Sequence, residues 1–251
     1  MINNQTSNGS LRSLKKLAYI FITILLSGCY YLKPTTTPIA ATQFTPKIKN
    51  ASHLVIFMPG IGDNPIAFQK AGFFDDLDIT FDTLVVDSHF AYYREKQLVE
   101  RLYLDIIKPA TTRYSKITLL GISLGSYGAL LVAQKYPQSV DQIILFSPFL
   151  GDLSLVDDII ANGGLEKWYL TQQQNNNTLG FGDNAWLYLQ QLISSSEVKI
   201  VLAYGMQDKF SSAADLLSSN LSTDLTIRIK GKHNWITWSK LWRKLLEENI
   251  L

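Results

Sequence analysis

The 251-residue chain has one cysteine, Cys29, and only three histidines, His53, His89 and His233. A single cysteine excludes an intramolecular disulfide and leaves an intracellular redox pair without its second thiol. No group of histidine, cysteine and carboxylate residues has the spacing of a metal site, and no glycine-rich phosphate loop is present. We therefore expect neither a metal nor a cofactor. The scarcity of histidine also limits a general base to three candidates.

The chain also lacks a large excess of either positive or negative charge. The chain has 23 Lys and Arg residues against 21 Asp and Glu residues. Three of the basic residues, Arg12, Lys15 and Lys16, lie in residues 1–28, which contain no acid, so the remainder has 20 basic residues against 21 acidic ones. A near-neutral domain gives no indication of a nucleic-acid partner. Its length suits one domain with a sizeable core, and its oligomeric state is left open.

The longest apolar run near the N-terminus, residues 17–26, has the length of a signal-peptide core and is too short to cross a bilayer. It ends in Leu26-Ser27-Gly28-Cys29, which resembles the bacterial lipoprotein box. The resemblance implies that residues 1–28 are a signal peptide and that Cys29 is lipidated and binds the membrane. Tyr30 stands where an aspartate would favour the inner membrane, so we expect the periplasmic face of the outer membrane. The alternative is an uncleaved membrane-associating segment with an incidental Cys29.

Residues 29–50 contain Pro34, Pro38, Pro46 and several threonines, which favours a lipidated tether. Residues 51–251 alternate between strand-type and helix-length segments, with strands predicted to begin near residues 54, 83, 116, 141, 198 and 224. This pattern predicts an α/β domain with a mostly parallel, doubly wound sheet. The long interval at residues 151–197 predicts a small helical cap. Its aromatic residues fit an acyl pocket and helix packing equally well.

The pentapeptide Gly121-Ile122-Ser123-Leu124-Gly125 lies between a strand-type run, residues 116–120, and a helix-type run, residues 124–136. That context is typical of a nucleophile elbow, in which a serine occupies a sharp strand-to-helix turn. The glycines avoid Cβ clashes where the turn is crowded. The alternative is a glycine-bounded turn whose serine only caps the helix.

Among the histidines, only His233 follows Ser123, as the chain order serine, acid, histidine requires. Asp208 follows the apolar strand at residues 198–204 and is the predicted acid, which would fix the histidine tautomer. Asp152, after an earlier strand, is its rival. His53 and His89 are expected to have structural or surface roles, although His89 could border the pocket.

An acyl-transfer serine also needs donors for the developing oxyanion. One expected donor is the backbone N–H of Leu124, directly after the serine. The other is the N–H of Ile61, in the loop Pro59-Gly60-Ile61-Gly62 that follows an early apolar strand. The alternative is that Pro59-Gly60 forms only a tight turn, with no role in catalysis.

With these motifs the chain resembles the α/β-hydrolase superfamily over roughly residues 52–242. Many members have a histidine where this chain has Pro59. Segments 87–93 and 147–151 resemble little-characterised bacterial serine hydrolases. The resemblance implies an α/β-hydrolase fold and cleavage of a carboxylic ester or thioester, or an amide, from a small-molecule or lipid-like acyl substrate. The alternatives are a catalytically silent scaffold or binding lipoprotein of the same fold and an intracellular acyl-thioesterase, which the lipoprotein box disfavours.

Overall fold

The computed structural model describes residues 33–45, 47–75, 79–175 and 179–251. The predicted signal peptide and Cys29 lie outside the described residues. The strands are β1 (Ala41–Thr42), β2 (His53–Met58), β3 (Asp82–Val86), β4 (Lys116–Ile122), β5 (Gln142–Phe146), β6 (Lys199–Gly205) and β7 (Thr226–Ile229). They form one sheet in the order β1-β3-β2-β4-β5-β6-β7. Strand β1 runs antiparallel to β3, and all other neighbouring pairs are parallel.

Helices connect the strands. They are α1 (Pro65–Lys70), α2 (Phe90–Arg94), α3 (Leu98–Leu102), α4 (Lys108–Ala110), α5 (Leu124–Lys135), α6 (Ser154–Ala161), α7 (Leu165–Asn175), α8 (Ala185–Ser195), α9 (Ser211–Ser218) and α10 (Trp235–Glu247). A π-helical segment, Tyr103–Ile107, joins α3 to α4, and 3₁₀ turns cover Pro137–Ser139 and Thr223–Leu225. Within the described ranges, no helix combines the length and apolar character needed to cross a membrane.

The sheet is buried on both faces, as near-continuous apolar strands predict. Alternate residues of β2 separate into two clusters, with Ile56 in one and Phe57 in the other. Phe57 packs among side chains of α1 and α10, including an edge-to-face contact with Trp242 at 5.3 Å. The other face carries α5, which is buried over most of its length, and the remaining helices. The predicted mostly parallel, doubly wound α/β architecture is therefore confirmed.

The start of the domain differs from the predicted boundary at residue 51. The compact unit begins at Thr36, and residues 36–50 pack against it wherever they are described. Ile39 is buried and its N–H donates to Asp105 Oδ2 at 2.9 Å, while the N–H of Ile48 donates to Asp82 Oδ1 at 2.8 Å. The composition suggested a tether, but one buried isoleucine and a two-residue strand attach this segment to β3.

This attachment predicts how far the N-terminus can be shortened. A variant that begins at Ile48 loses β1 and the burial of Ile39, which alone contributes about 2 kcal/mol. We expect its free energy of unfolding in urea to fall by at least that amount relative to a variant that begins at Lys33. Equal unfolding midpoints and slopes for the two variants would show that residues 36–47 do not stabilise the domain.

The predicted cap at residues 151–197 forms α6, α7 and α8. Helix α8 packs beside α5 on the face of the sheet, so it is a sheet-covering helix and not a cap above the strand ends. Trp168 and Trp186 are fully buried in this packing, and Trp168 Nε1 donates to Asp158 at 2.7 Å. The two tryptophans therefore serve helix packing. The part that reaches the strand ends is the loop before α8, through Phe181.

His53 opens β2 at the edge of the sheet opposite Ser123, and its Nε2 lies 2.9 Å from Thr118 Oγ1. Burial lowers the pKa of His53 to about 4; the charge of Lys116 adds to this effect and Asp141 opposes it. His53 therefore binds a proton near pH 6.5 in the unfolded chain but only near pH 4 in the folded protein. Stability should fall as the pH decreases from about 6.5 towards 4.

Replacing His53 by glutamine keeps a hydrogen-bonding side chain and removes this titration. We expect the pH dependence of the free energy of unfolding between pH 7 and 4 to be flatter in His53→Gln than in the native protein. Urea titrations at several pH values would measure it. Parallel curves for the two proteins would contradict the assignment.

Candidate active site

Ser123 lies where β4 passes into α5, with φ 54° and ψ −112°. This conformation is rare for a residue with a side chain and costs on the order of 1–3 kcal/mol, so the surrounding structure must hold it. The N–H of Ser123 donates to Phe146 O at 2.9 Å, and Ser126 Oγ donates to Gly121 O at 2.7 Å. These bonds fix the turn between β4, its neighbour β5 and the helix.

The flanking glycines are explained by close backbone approach. A Cβ at Gly121 would lie 2.2 Å from Gly125 O, and a Cβ at Gly125 would lie 2.1 Å from Met58 O. Both distances are far below van der Waals contact, and backbone atoms cannot swing aside. The two glycines therefore let α5 start directly against β4 and the end of β2, which is the steric reason inferred from the sequence.

The structure brings Ser123, His233 and Asp208 together. Ser123 Oγ lies 3.1 Å from His233 Nε2, and His233 Nδ1 lies 2.9 and 2.8 Å from the two carboxylate oxygens of Asp208. Each residue follows the carboxyl end of a different strand, β4, β6 or β7. Because parallel strands end at one edge of the sheet, residues 110 positions apart in the sequence meet there.

Asp208 is buried and is held in its ionised form. Burial would raise its pKa, but hydrogen bonds with His233, the N–H of Phe210 and the Ser147 hydroxyl, together with the charge of His233, lower the pKa below its usual value. The N–H of Phe210 donates to Asp208 Oδ1 at 2.9 Å. Ser147 in turn accepts a bond of 3.0 Å from Trp238 Nε1. A carboxylate held in this way favours the Nδ1–H tautomer of the histidine.

Aromatic rings fix the plane of the imidazole. Phe210 and Trp238 meet the His233 ring edge to face, with centroids 5.2 and 5.0 Å away. Helix α10, which carries Trp238, begins just after His233 and is capped by Asn234, whose side chain accepts from the N–H of Thr237 at 3.1 Å. The loop that holds the imidazole is therefore anchored at its downstream end.

Ile61 and Leu124, the expected oxyanion donors, line the same cavity as Ser123. Leu124 is the first residue of α5, so its N–H belongs to the group of helix N–H bonds that have no partner within the helix. Gly60 lies against the serine, since a Cβ there would be 3.5 Å from Ser123 Cβ. The loop after β2 thus approaches the serine closely enough to supply a second amide.

The cavity at Ser123 has a volume of about 380 Å³. Phe90, Phe149 and Phe181 form much of its apolar wall. Two charged residues also line it, Asp63 and Lys209. Burial raises the pKa of Asp63, although the hydrogen bond from Trp235 and the charge of His233 each act to lower it. This apolar cavity with a few polar groups has the volume of a small-molecule site.

The rival positions lie elsewhere. Asp152 is exposed, and its Oδ1 accepts from the N–H of Ser154 at 2.8 Å, which lowers its pKa. His89 is buried and packs against Tyr92 with ring centroids 4.7 Å apart, while its neighbour Phe90 reaches the cavity.

Several residues of the site did not follow from the sequence: Phe90, Phe149, Phe181, Ser147, Trp238 and Asp63. Ser147 had a usable signal, because it directly follows β5, the neighbour of the serine strand. Trp238 had none, since its indole N–H contacts a residue 91 positions away.

The comparison with family models supplies the identification. The model of the Esterase family, described as "Putative esterase", matches residues 86–247. This range covers more than half of the chain and includes Ser123, Asp208 and His233. The chain belongs to the esterase family. The esterase is thus a carboxylesterase-type hydrolase, as its motifs predicted. A comparison with curated proteins finds no match.

The esterase also resembles solved α/β-hydrolase structures. A hydrolase described as "predicted CIB-like" from Thermoplasma acidophilum is 15% identical, with a TM-score of 0.54 over 81% of the esterase and 88% of that chain. An S-formylglutathione hydrolase from Staphylococcus aureus is 14% identical, with a TM-score of 0.52 over 81% and 83%. A fluorophosphonate-binding serine hydrolase from Staphylococcus aureus is 13% identical, with a TM-score of 0.50 over 82% and 86%. At these identities the likeness establishes the α/β-hydrolase fold.

Proposed function

We propose that the esterase is a serine hydrolase that cleaves carboxylic esters or thioesters through an acyl-enzyme at Ser123. The observation that carries the proposal is the contact of 3.1 Å between Ser123 Oγ and His233 Nε2, with Asp208 on the other ring nitrogen. A serine hydroxyl is a weak nucleophile until an adjacent base takes its proton. This arrangement provides such a base together with a group that orients it.

In the first step His233 Nε2 takes the proton of Ser123 as Oγ bonds to the substrate carbonyl carbon. The N–H groups of Ile61 and Leu124 stabilise the negative charge that develops on the carbonyl oxygen. Asp208 stabilises the imidazolium and keeps Nδ1 protonated, without taking the proton itself. The bond to the leaving alcohol or thiol then breaks, and His233 returns the proton to that group.

In the second step water replaces the leaving group. His233 removes a proton from the water, whose oxygen attacks the acyl carbon, and the same two N–H groups again stabilise the oxyanion. The carboxylic acid leaves as His233 returns the proton to Ser123 Oγ. The reaction needs no group beyond the residues of this chain and water.

Stopped-flow hydrolysis of a p-nitrophenyl ester tests the two-step scheme. We expect a burst of nitrophenolate approaching one equivalent per active protein when deacylation is slower than acylation, as for activated esters. Acid-quenched protein should carry one acyl group on the peptide that contains Ser123. Turnover in which no acylated protein accumulates, even for a slowly deacylating carbamate analogue, would exclude the covalent scheme.

We further propose that the esterase is anchored to a membrane by acyl chains on Cys29, on the periplasmic face of the outer membrane. The lipoprotein-box resemblance supports this, and stable anchoring by lipid requires two signals such as the two chains of a diacylglycerol.

Intact mass spectrometry of detergent-extracted protein tests the anchor. We expect a chain that begins at a lipidated Cys29, and we expect Cys29→Ser to accumulate as an unmodified precursor. An unmodified full-length native chain that begins at Met1 would refute the anchor without affecting the catalytic proposal.

A further inference from the structure

A second cavity, larger than the one at Ser123, lies beside it. Its volume is about 520 Å³, against about 380 Å³ for the cavity at Ser123. Its walls come from α2 and the start of α3, from α5, and from the loop and first turn of α8. Most of its lining residues are aliphatic or aromatic, among them Leu98, Val99 and Leu131, and two cationic residues, Arg94 and Lys96, also line it. It therefore offers a largely apolar space that the two-step reaction does not use.

Phe181 is the only residue that the linings of both cavities share among the described parts of the chain. On the side of the catalytic cavity its ring contacts Phe90 and Phe149, with centroids 6.3 and 6.5 Å away. Towards the second cavity it meets Tyr127 edge to face at 5.5 Å. The side chain of Phe181 thus forms a wall between the two cavities.

The Phe181 side chain is not enclosed by packing as a core residue would be. Phe181 is 53% exposed, and it lies between Gly180 and Gly182. Gly182 has φ 86°, and a Cβ there would come within 2.5 Å of the Phe149 ring. The glycine lets the loop lie directly against the catalytic cavity, while the phenyl ring remains at the surface. Because the Phe181 ring is half exposed, we expect a chain of methylene groups to pass along it without displacing buried side chains.

We propose that the second cavity binds the distal part of a long, unbranched acyl chain whose carbonyl carbon is at Ser123. This inference rests on the proposed acyl-enzyme mechanism and names the substrate class for it, an ester of a medium- or long-chain fatty acid. Apolar walls favour methylene groups over water, by roughly fourfold in binding for each methylene that becomes buried. An acetyl or butanoyl group would occupy the catalytic cavity alone and gain nothing from the second one.

Chain-length selectivity tests the assignment. We expect kcat/KM of the native esterase to be at least tenfold higher for p-nitrophenyl decanoate than for p-nitrophenyl butanoate, at concentrations where both are monomeric. Val99→Phe and Leu131→Trp add bulk to the second cavity from two different helices, α3 and α5. Each should reduce the decanoate-to-butanoate ratio at least tenfold.

Leu170→Trp is the matched control, because Leu170 is half exposed on α7 and lines neither cavity. It should keep the native ratio. Circular dichroism and labelling by a fluorophosphonate would show that each variant is folded and has a reactive serine.

The outcomes separate this inference from the catalytic proposal. Two results would overturn the acyl-chain assignment alone. One is a native protein that is labelled at Ser123 but favours butanoate. The other is that folded Val99→Phe and Leu131→Trp variants keep decanoate-to-butanoate ratios within twofold of the native one. Native protein that hydrolyses neither ester and is not labelled would overturn the catalytic proposal, and the acyl-chain assignment with it.

Discussion

Replacing Ser123 by alanine should reduce kcat for p-nitrophenyl esters by on the order of 10⁶, to the level of residual hydrolysis. The change removes one oxygen atom, the one that lies 3.1 Å from His233 Nε2. Alanine has the same backbone restrictions as serine at φ 54°, so the turn should persist. Initial rates and a urea unfolding curve on the same preparation would check both statements.

Ser126→Ala is the matched control, because Ser126 is another buried serine of the same turn. Its hydroxyl donates to Gly121 O and Phe146 O, and Ser126 is not among the residues that line the catalytic cavity. We expect Ser126→Ala to lose stability while kcat stays within about tenfold of the native value, since a lost buried hydrogen bond costs about 1–3 kcal/mol. A folded Ser123→Ala protein with native kcat would disprove the assignment of the nucleophile.

The second large effect is expected at the acid. Asp208→Asn should lower kcat by on the order of 10⁴, because an amide that donates a hydrogen bond to Nδ1 favours the wrong histidine tautomer. Both oxygens of Asp208 lie within 2.9 Å of Nδ1, so the exchange of one oxygen for an NH₂ group acts directly on the imidazole. Steady-state kinetics at neutral pH would measure the loss.

Asp152→Asn provides the comparison. Asp152 is the alternative acid that the sequence predicts, and it is exposed in the structure. Its bond from the N–H of Ser154 lies outside the catalytic cavity, so kcat should change less than threefold. A loss of 10⁴ at Asp152 together with a small effect at Asp208 would reverse the two roles.

The sequence was sufficient to predict β2 to β7, although not β1, and to propose the three residues that meet at the ends of β4, β6 and β7. Ser123, Asp208 and His233 each lie within four residues of the end of a strand. A parallel sheet places all those ends at one edge, so chain order and strand pattern indicate Ser123 and His233, while the acid stays open between Asp208 and Asp152 until the structure is seen. The catalytic roles themselves remain proposals that the variants above test.

The residues that shape the cavity could not be predicted in the same way. Phe181 lies in a long crossover with no strand to fix its position, and it lines the cavity of Ser123 from the loop before α8, which packs beside α5. The spacing of Trp238 is that of a core residue on an amphipathic helix. Nothing in the neighbouring sequence indicates that its indole N–H donates to Ser147. Residues 36–50 have the composition of a tether, and the two-residue strand within them is too short to show the alternation that would indicate a strand.

Labelling by a fluorophosphonate, followed by peptide mass spectrometry, tests the central claim most directly. The probe reacts with serines that have been activated by a base. We predict one phosphonyl group per chain, on Ser123, and its loss in His233→Ala. A native protein that hydrolyses esters while Ser123 stays unmodified, or while the label is on another residue, would contradict the account.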